Sequence, residues 1–264
     1  MIRTQTMTRF VLALSLALLP SLANAQVPAP APKGPDKEVA EKIALLKEVV
    51  ADKKFAREAE GVEAIDKLLI KSRAGLEAKD QTAIVKALDG VLTGGKQRPH
   101  DKTELYVGAA QALGYCGAEG AKVLKETYAG KRFPDKPEWV PFREHLLKNL
   151  GRTKDESMVK FLVNEAVRSH QAALAAAAGE ALGNFEESKD ALRKEVVSEL
   201  LRKYGELDEK ASQIGTNIDA QNAKDQLSAL QDKWNTALGK LTKQNFTTFR
   251  EWQTWYNKNK GQAW

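Results

Sequence analysis

Apolar residues recur along most of this chain at helical intervals, and one ten-residue pattern recurs with them. Leu105, Ala109, Ala112 and Leu113 fall on one stripe at about 100° per residue, and Gly114 closes it. Phe142, Leu146, Asn149, Leu150 and Gly151 repeat the arrangement, and Leu174, Ala178, Ala181, Leu182 and Gly183 repeat it again. Each stripe predicts a helix with one buried face. The small residues Gly108, Ala109, Ala112 and Ala175–Ala178 let a neighbouring helix approach closely. The closing glycines are expected to take φ > 0 and stop each helix. A second apolar stripe follows each stop: Val123, Leu124 and Tyr128; then Val159, Leu162, Val163 and Ala166; then Leu192, Val196, Val197, Leu200 and Leu201. The predicted unit is helix, glycine turn, helix.

The N-terminal half carries the same periodicity without the glycine stop. Asp36 is placed to cap a helix with Val39, Ile43, Leu46 and Val50 inward. Val62, Ile65, Leu69 and Leu76 mark a second helix. Asp80 is expected to cap a third, with Ile84, Leu88 and Val91 inward and a break at Thr93-Gly94-Gly95. Beyond the third unit, Leu207–Asn222 is polar. A long helix then carries Leu227, Leu230, Trp234 and Leu238, and Thr248-Phe249-Arg250-Glu251 reads as a capping box that opens a final helix. Alternating β-branched runs are absent, so the expected class is all-α.

One helical pair cannot bury its own apolar face, so stacked pairs imply an α-solenoid of antiparallel helix pairs with a C-terminal helical cap. The Ala-rich helix closing on Ala-Leu-Gly resembles a HEAT repeat, and the short spacing is closer to the HEAT-like repeats of phycobilin lyases. Asn149 departs from that pattern, standing where the other copies have alanine. The motif specifies packing and not chemistry. The expected organisation is a signal peptide over 1–25, a Pro/Ala-rich linker over 26–36, HEAT-like repeats over 37–207 and a helical cap with a Trp-rich end over 208–264.

Composition narrows the setting. Of 264 residues, 42% are hydrophobic and 7% aromatic, ordinary for a chain with a packed core. Arg3 and Arg9, the apolar run Phe10–Leu19 and Ala23-Asn24-Ala25 form a basic start, a short core and a cleavage site. Export to the periplasm is therefore expected, with secretion as the wider alternative. No later run has the length of a membrane span. The net charge is +6, and removing residues 1–25, with two arginines and no acid, leaves +4. Charges alternate in sign along the helices, with no clustered basic stripe, so nucleic acid is not an expected partner.

Candidate chemistry is sparse. His100, His145 and His170 share no metal spacing, Cys116 stands alone, and no nucleophile elbow or dinucleotide fingerprint occurs. Neither metal nor cofactor is expected. His145 reads more simply as an edge-of-core residue than as a base. The expectation is a non-enzymatic scaffold that binds a protein or envelope component on the face built by the second helices. The alternative is the ligand-handling or lyase activity that the bilin-lyase resemblance implies. Candidate contact residues are Trp139, in the proline-rich insertion Lys131–Pro141, and Trp252, Trp255 and Trp264 near the C-terminal end. Each has a structural reading too: Trp139 as cover for a gap between repeats, the others as the seal of the last repeat.

Overall fold

Asp36 caps the first helix as its position suggests, its carboxylate accepting the amides of Glu38 and Val39. The computed structural model describes residues 36–213 and 218–264. The expected signal peptide and nearly all of the linker lie outside the described residues. Within them are eleven α-helices and no strand. In order these are α1 (Lys37–Ala51), α2 (Glu58–Arg73), α3 (Ala78–Thr93), α4 (Glu104–Leu113), α5 (Gly117–Ala129), α6 (Val140–Arg152), α7 (Val159–Arg168), α8 (Ala172–Leu182), α9 (Asp190–Ala211), α10 (Ile218–Thr242) and α11 (Phe249–Asn259).

The helices pack in an alternating manner. α2 touches α4, α4 touches α6, α6 touches α8, and α8 touches α10. Among the odd helices α1 meets α3, α3 meets α5, α7 meets α9, and α9 meets α11. Each odd helix up to α9 also lies along the even helix that follows it. The closest pairs therefore straddle the expected unit: α6 meets α5 and α8 meets α7 more extensively than α6 meets α7. A glycine turn marks where the chain reverses.

The closing glycines meet part of the expectation: α4 and α8 end at Gly114 and Gly183, whereas α6 runs through Gly151 to Arg152. Gly114 and Gly183 have φ of −58° and −62°, and Gly151 lies inside α6, so none takes the left-handed conformation. Three non-glycine residues among those described do: Phe55 (φ 57°), in the turn between α1 and α2, Lys154 (φ 54°), just past α6, and Lys243 (φ 59°), just past α10. The glycines serve close approach instead. A Cβ added at Gly114 would lie 3.1 Å from the Asn149 carbonyl oxygen, and one at Gly151 would lie 2.4 Å from that of Ala181. At Gly183 it would lie 3.0 Å from Cα of Ala237. α4, α6 and α8 thus each present a glycine to the same register position of the next even helix, Asn149, Ala181 and Ala237 in turn. Asn149 keeps that contact, because its amide turns onto its own helix, donating to the His145 carbonyl at 2.7 Å.

The third of these contacts exposes a copy that the helical stripes alone did not mark. Leu230, Trp234, Ala237, Leu238 and Gly239 match Leu105, Ala109, Ala112, Leu113 and Gly114 position for position. α10 is therefore packed as an even helix, although its residues fell within the expected cap. Trp234 replaces an alanine there, and α8 accommodates it with Gly179, where any Cβ would meet the indole Nε1 at 2.0 Å. That nitrogen donates to the Ala175 carbonyl at 3.2 Å.

Asp80 does not cap α3. That helix begins at Ala78 behind Glu77, and Asp80 lies in its first turn, where the helix dipole favours a carboxylate. It is buried and accepts the amide of Asp36 at 3.1 Å, tying the start of α1 to α3. The predicted box at α11 is present: the Thr248 hydroxyl accepts the Glu251 amide, and Glu251 accepts the Thr248 amide.

Candidate partner-binding surface

The proline-rich insertion before α6 folds inward. Trp139 is 7% exposed and meets Phe133 edge-on at 5.1 Å. Phe133 in turn contacts Tyr106 at 5.0 Å and Phe142 at 4.6 Å. Three arginines fasten this aromatic cluster. Arg143, buried in α6, donates Nη1 to the carbonyls of Tyr128 and Phe133 at 2.9 and 2.8 Å and lies 3.9 Å from the Tyr128 ring centre. Arg132 reaches the Gly94 carbonyl and the Tyr106 hydroxyl at 2.8 and 3.2 Å. Arg98 pairs its Nε with Glu58 at 2.7 Å, its side chain wholly enclosed. Trp139 thus covers a joint between helices and offers no free ring to a partner.

The C-terminal aromatics divide into two sets. Trp252 is 0% exposed, meets Phe246 edge-on at 4.9 Å, and donates Nε1 to Asn235 on α10 at 2.9 Å. Phe249 lies against Tyr204 of α9 at 5.6 Å. Burial pushes the Tyr204 hydroxyl up to about 12. These side chains seal α11 onto α9 and α10. Trp255 and Trp264 remain half-buried and meet edge-on at 5.1 Å. Trp264 is held from α9 by Asp190, which accepts its amide at 3.4 Å, and by Arg193, which donates to its carbonyl.

Two open grooves adjoin at Phe246. One, of about 610 Å³, is lined largely by polar residues of α10 and of the strap that follows, including Gln231, Asn235, Gly239 and Thr247. The other, of about 430 Å³, lies on the outer side of α11 and is lined by Phe246, Arg250, Glu251, Thr254, Trp255 and Lys258. A smaller polar hollow of about 140 Å³ gathers Lys148, Arg152, Glu180, Asn184 and Lys240. Arg152 and Lys240 stand in the last turns of α6 and α10, where the carbonyl-rich end of each helix dipole favours them, and Lys148 pairs with Glu180 at 3.4 Å, so the hollow has a structural explanation.

Groups with shifted protonation follow the same logic. Burial, with Lys148 close by, holds the half-buried His145 below the usual histidine range, which keeps it neutral near pH 7. Burial pushes the Cys116 thiol up to about 11, and a protonated thiol is a poor nucleophile. Burial and the Glu165 carboxylate, which accepts its proton at 2.7 Å, raise Tyr128 well above the ordinary phenol. Among the described residues no three His, Cys, Asp or Glu side chains are placed to hold a metal ion. No helix there is long and apolar enough to cross a membrane.

Sequence reasoning missed the buried arginines. Arg98 sits beside a proline in a loop, and its partner Glu58 is forty positions away, beyond any local pattern. Arg143 follows Phe142 where the first copy has Tyr106. Comparison with known proteins returned no match: no family model, no curated protein and no solved structure matches this chain.

Proposed function

We propose that the chain is an α-solenoid, similar to HEAT repeats, that works by binding a protein or envelope component outside the cytoplasm and not by turnover. The observation that carries the reading is the run of even-helix contacts. Four helices bear one ten-residue pattern, and the glycine of α4, α6 and α8 meets the small position of the next. A stack built this way grows in one direction and leaves long outward helix faces, the surfaces that repeat proteins use for recognition. Fold alone does not assign a role. The polar groups described above support binding too, because Arg98, Arg132 and Arg143 are spent on holding backbone and rings in place.

The test is isolation of the exported protein with its partners after crosslinking in cells, followed by reconstitution from purified components. A partner that binds the purified chain with a measurable Kd and without chemical change supports the proposal. Turnover of a substrate, or a spectral change on binding a tetrapyrrole, would overturn it in favour of the ligand-handling alternative.

A further inference from the structure

We propose that the groove on the outer side of α11 binds an acidic peptide segment of a partner protein, with an apolar side chain seated between Phe246 and Trp255. This rests on the binding reading above and names the partner's chemistry. The floor is aromatic and fixed: Trp252 holds Phe246, and Trp264 holds Trp255. Rigid aromatic anchors lose little entropy when a ligand arrives. Arg250, Thr254 and Lys258 stand at intervals of four along one side of α11, so they form a single rim.

The charge of that rim is uncompensated. Neither Arg250 nor Lys258 takes part in an ion pair among the described residues. Glu251, the acid lining the groove, is already engaged, accepting the amides of Thr247 and Thr248 at 3.3 and 3.0 Å and the Thr248 hydroxyl at 2.8 Å. Those bonds hold its carboxyl below the usual carboxylate range. Lys258 in the last turn suits the helix dipole, but Arg250 in the first turn opposes it, so helix stability does not account for Arg250. An acidic segment would supply the missing counter-charge at both ends of the groove. The inward packing of Phe249 and Trp252 leaves too little apolar surface outside for a lipid layer.

The full chain is titrated, by fluorescence anisotropy, into three labelled synthetic peptides: alternating Glu and Leu, alternating Gln and Leu, and alternating Lys and Leu. The expected result is saturable binding of the Glu peptide alone, weakened by salt. The double variant Arg250→Glu with Lys258→Glu should raise its Kd tenfold or more, as should Trp255→Ala. The charge variant lies on the solvent side and should melt like the parent. Equal binding of the Gln peptide, no binding of the Glu peptide, or an unchanged Kd in the charge variant would overturn the proposal. So would binding of anionic phosphatidylglycerol vesicles that the Glu peptide does not displace. If a crosslinked partner still binds the charge variant normally, this groove is wrong while the binding role stands. If the peptide binds as expected but no partner is recovered and turnover is found, the binding role falls instead.

Discussion

Arg98 shows how a single side chain can organise a region. Its guanidinium lies 5.1 and 5.4 Å from the ring centres of Phe55 and Tyr106, and Glu58 is the one carboxylate paired with it among the described residues. Removing one member of a buried pair strands the other. Glu58→Ala leaves the enclosed Arg98 unpaired and should therefore cost about 3 kcal/mol, read as a lowered urea midpoint, whereas Arg98→Met leaves the unpaired charge on Glu58, whose side chain is 21% exposed and can regain water, and should cost less. Glu251 gives a prediction with a pH axis. Its folded pKa lies below the ordinary 4.5, so the capping contribution is complete above about that pH and is lost as pH falls through the lower folded value. Protection of the Thr247 and Thr248 amides, relative to their intrinsic exchange rates, should fall over that acid range, and Glu251→Gln, which keeps an acceptor without a titrating group, should flatten the dependence. The capping box was legible because both of its members lie within four residues. Arg98 and Arg143 were not, since burial of a charge is decided by partners that only the tertiary fold supplies.

At the scale of helices, glycine positions separate close approach from local propensity. Gly179 in α8 faces the indole of Trp234, whereas a Cβ at Gly90 in α3 meets nothing within 4 Å. Gly179→Ala should destabilise by about 1–3 kcal/mol through overpacking, outweighing the ~1 kcal/mol gained in helix propensity. Gly90→Ala has only the propensity term and should raise the thermal midpoint, a gain of about 0.5–1 kcal/mol. Ala109, wholly buried on α4, sets a second limit: Ala109→Leu should cost about 1–3 kcal/mol by denaturant titration. The helical stripes located α1 to α9 from their apolar positions. The fourth copy escaped notice because Trp234 interrupts the small-residue signal, and its compensation, Gly179, lies on a different helix. The glycines were misread in part for a related reason: α4 and α8 do end at Gly114 and Gly183, but without the left-handed turn, and α6 does not end at Gly151. Helix-ending and helix-approaching glycines look alike in one dimension, and the contact across to the next helix tells them apart.

For the whole molecule, the question is how the stack ends. Phe249 and Trp252 cover parts of α9 and α10 that would otherwise face water. Ending the chain after Thr242, the last residue of α10, should cost cooperativity or solubility, seen as a broadened melting transition or as light scattering. A shortened chain as stable as the parent would mean that α11 is an appendage for recognition alone.

The outward side of α10 carries a consequence for assembly. The positions by which α8 receives α10 are Ala175, Gly179 and Gly183, and their counterparts on α10 are Gln231, Asn235 and Gly239. Both amides are turned onto the strap, each donating to the Thr247 carbonyl, at 3.1 and 2.9 Å. If the helices form the proposed one-dimensional stack, an end that accepts another helix of its own kind can accept one from a second molecule, and head-to-tail contacts of that sort grow into open filaments wherever their rotation does not close a ring. On the proposed solenoid reading, the Gln231 and Asn235 amides bound to one carbonyl would act as a chain terminator, keeping a protein built by repetition from becoming a polymer.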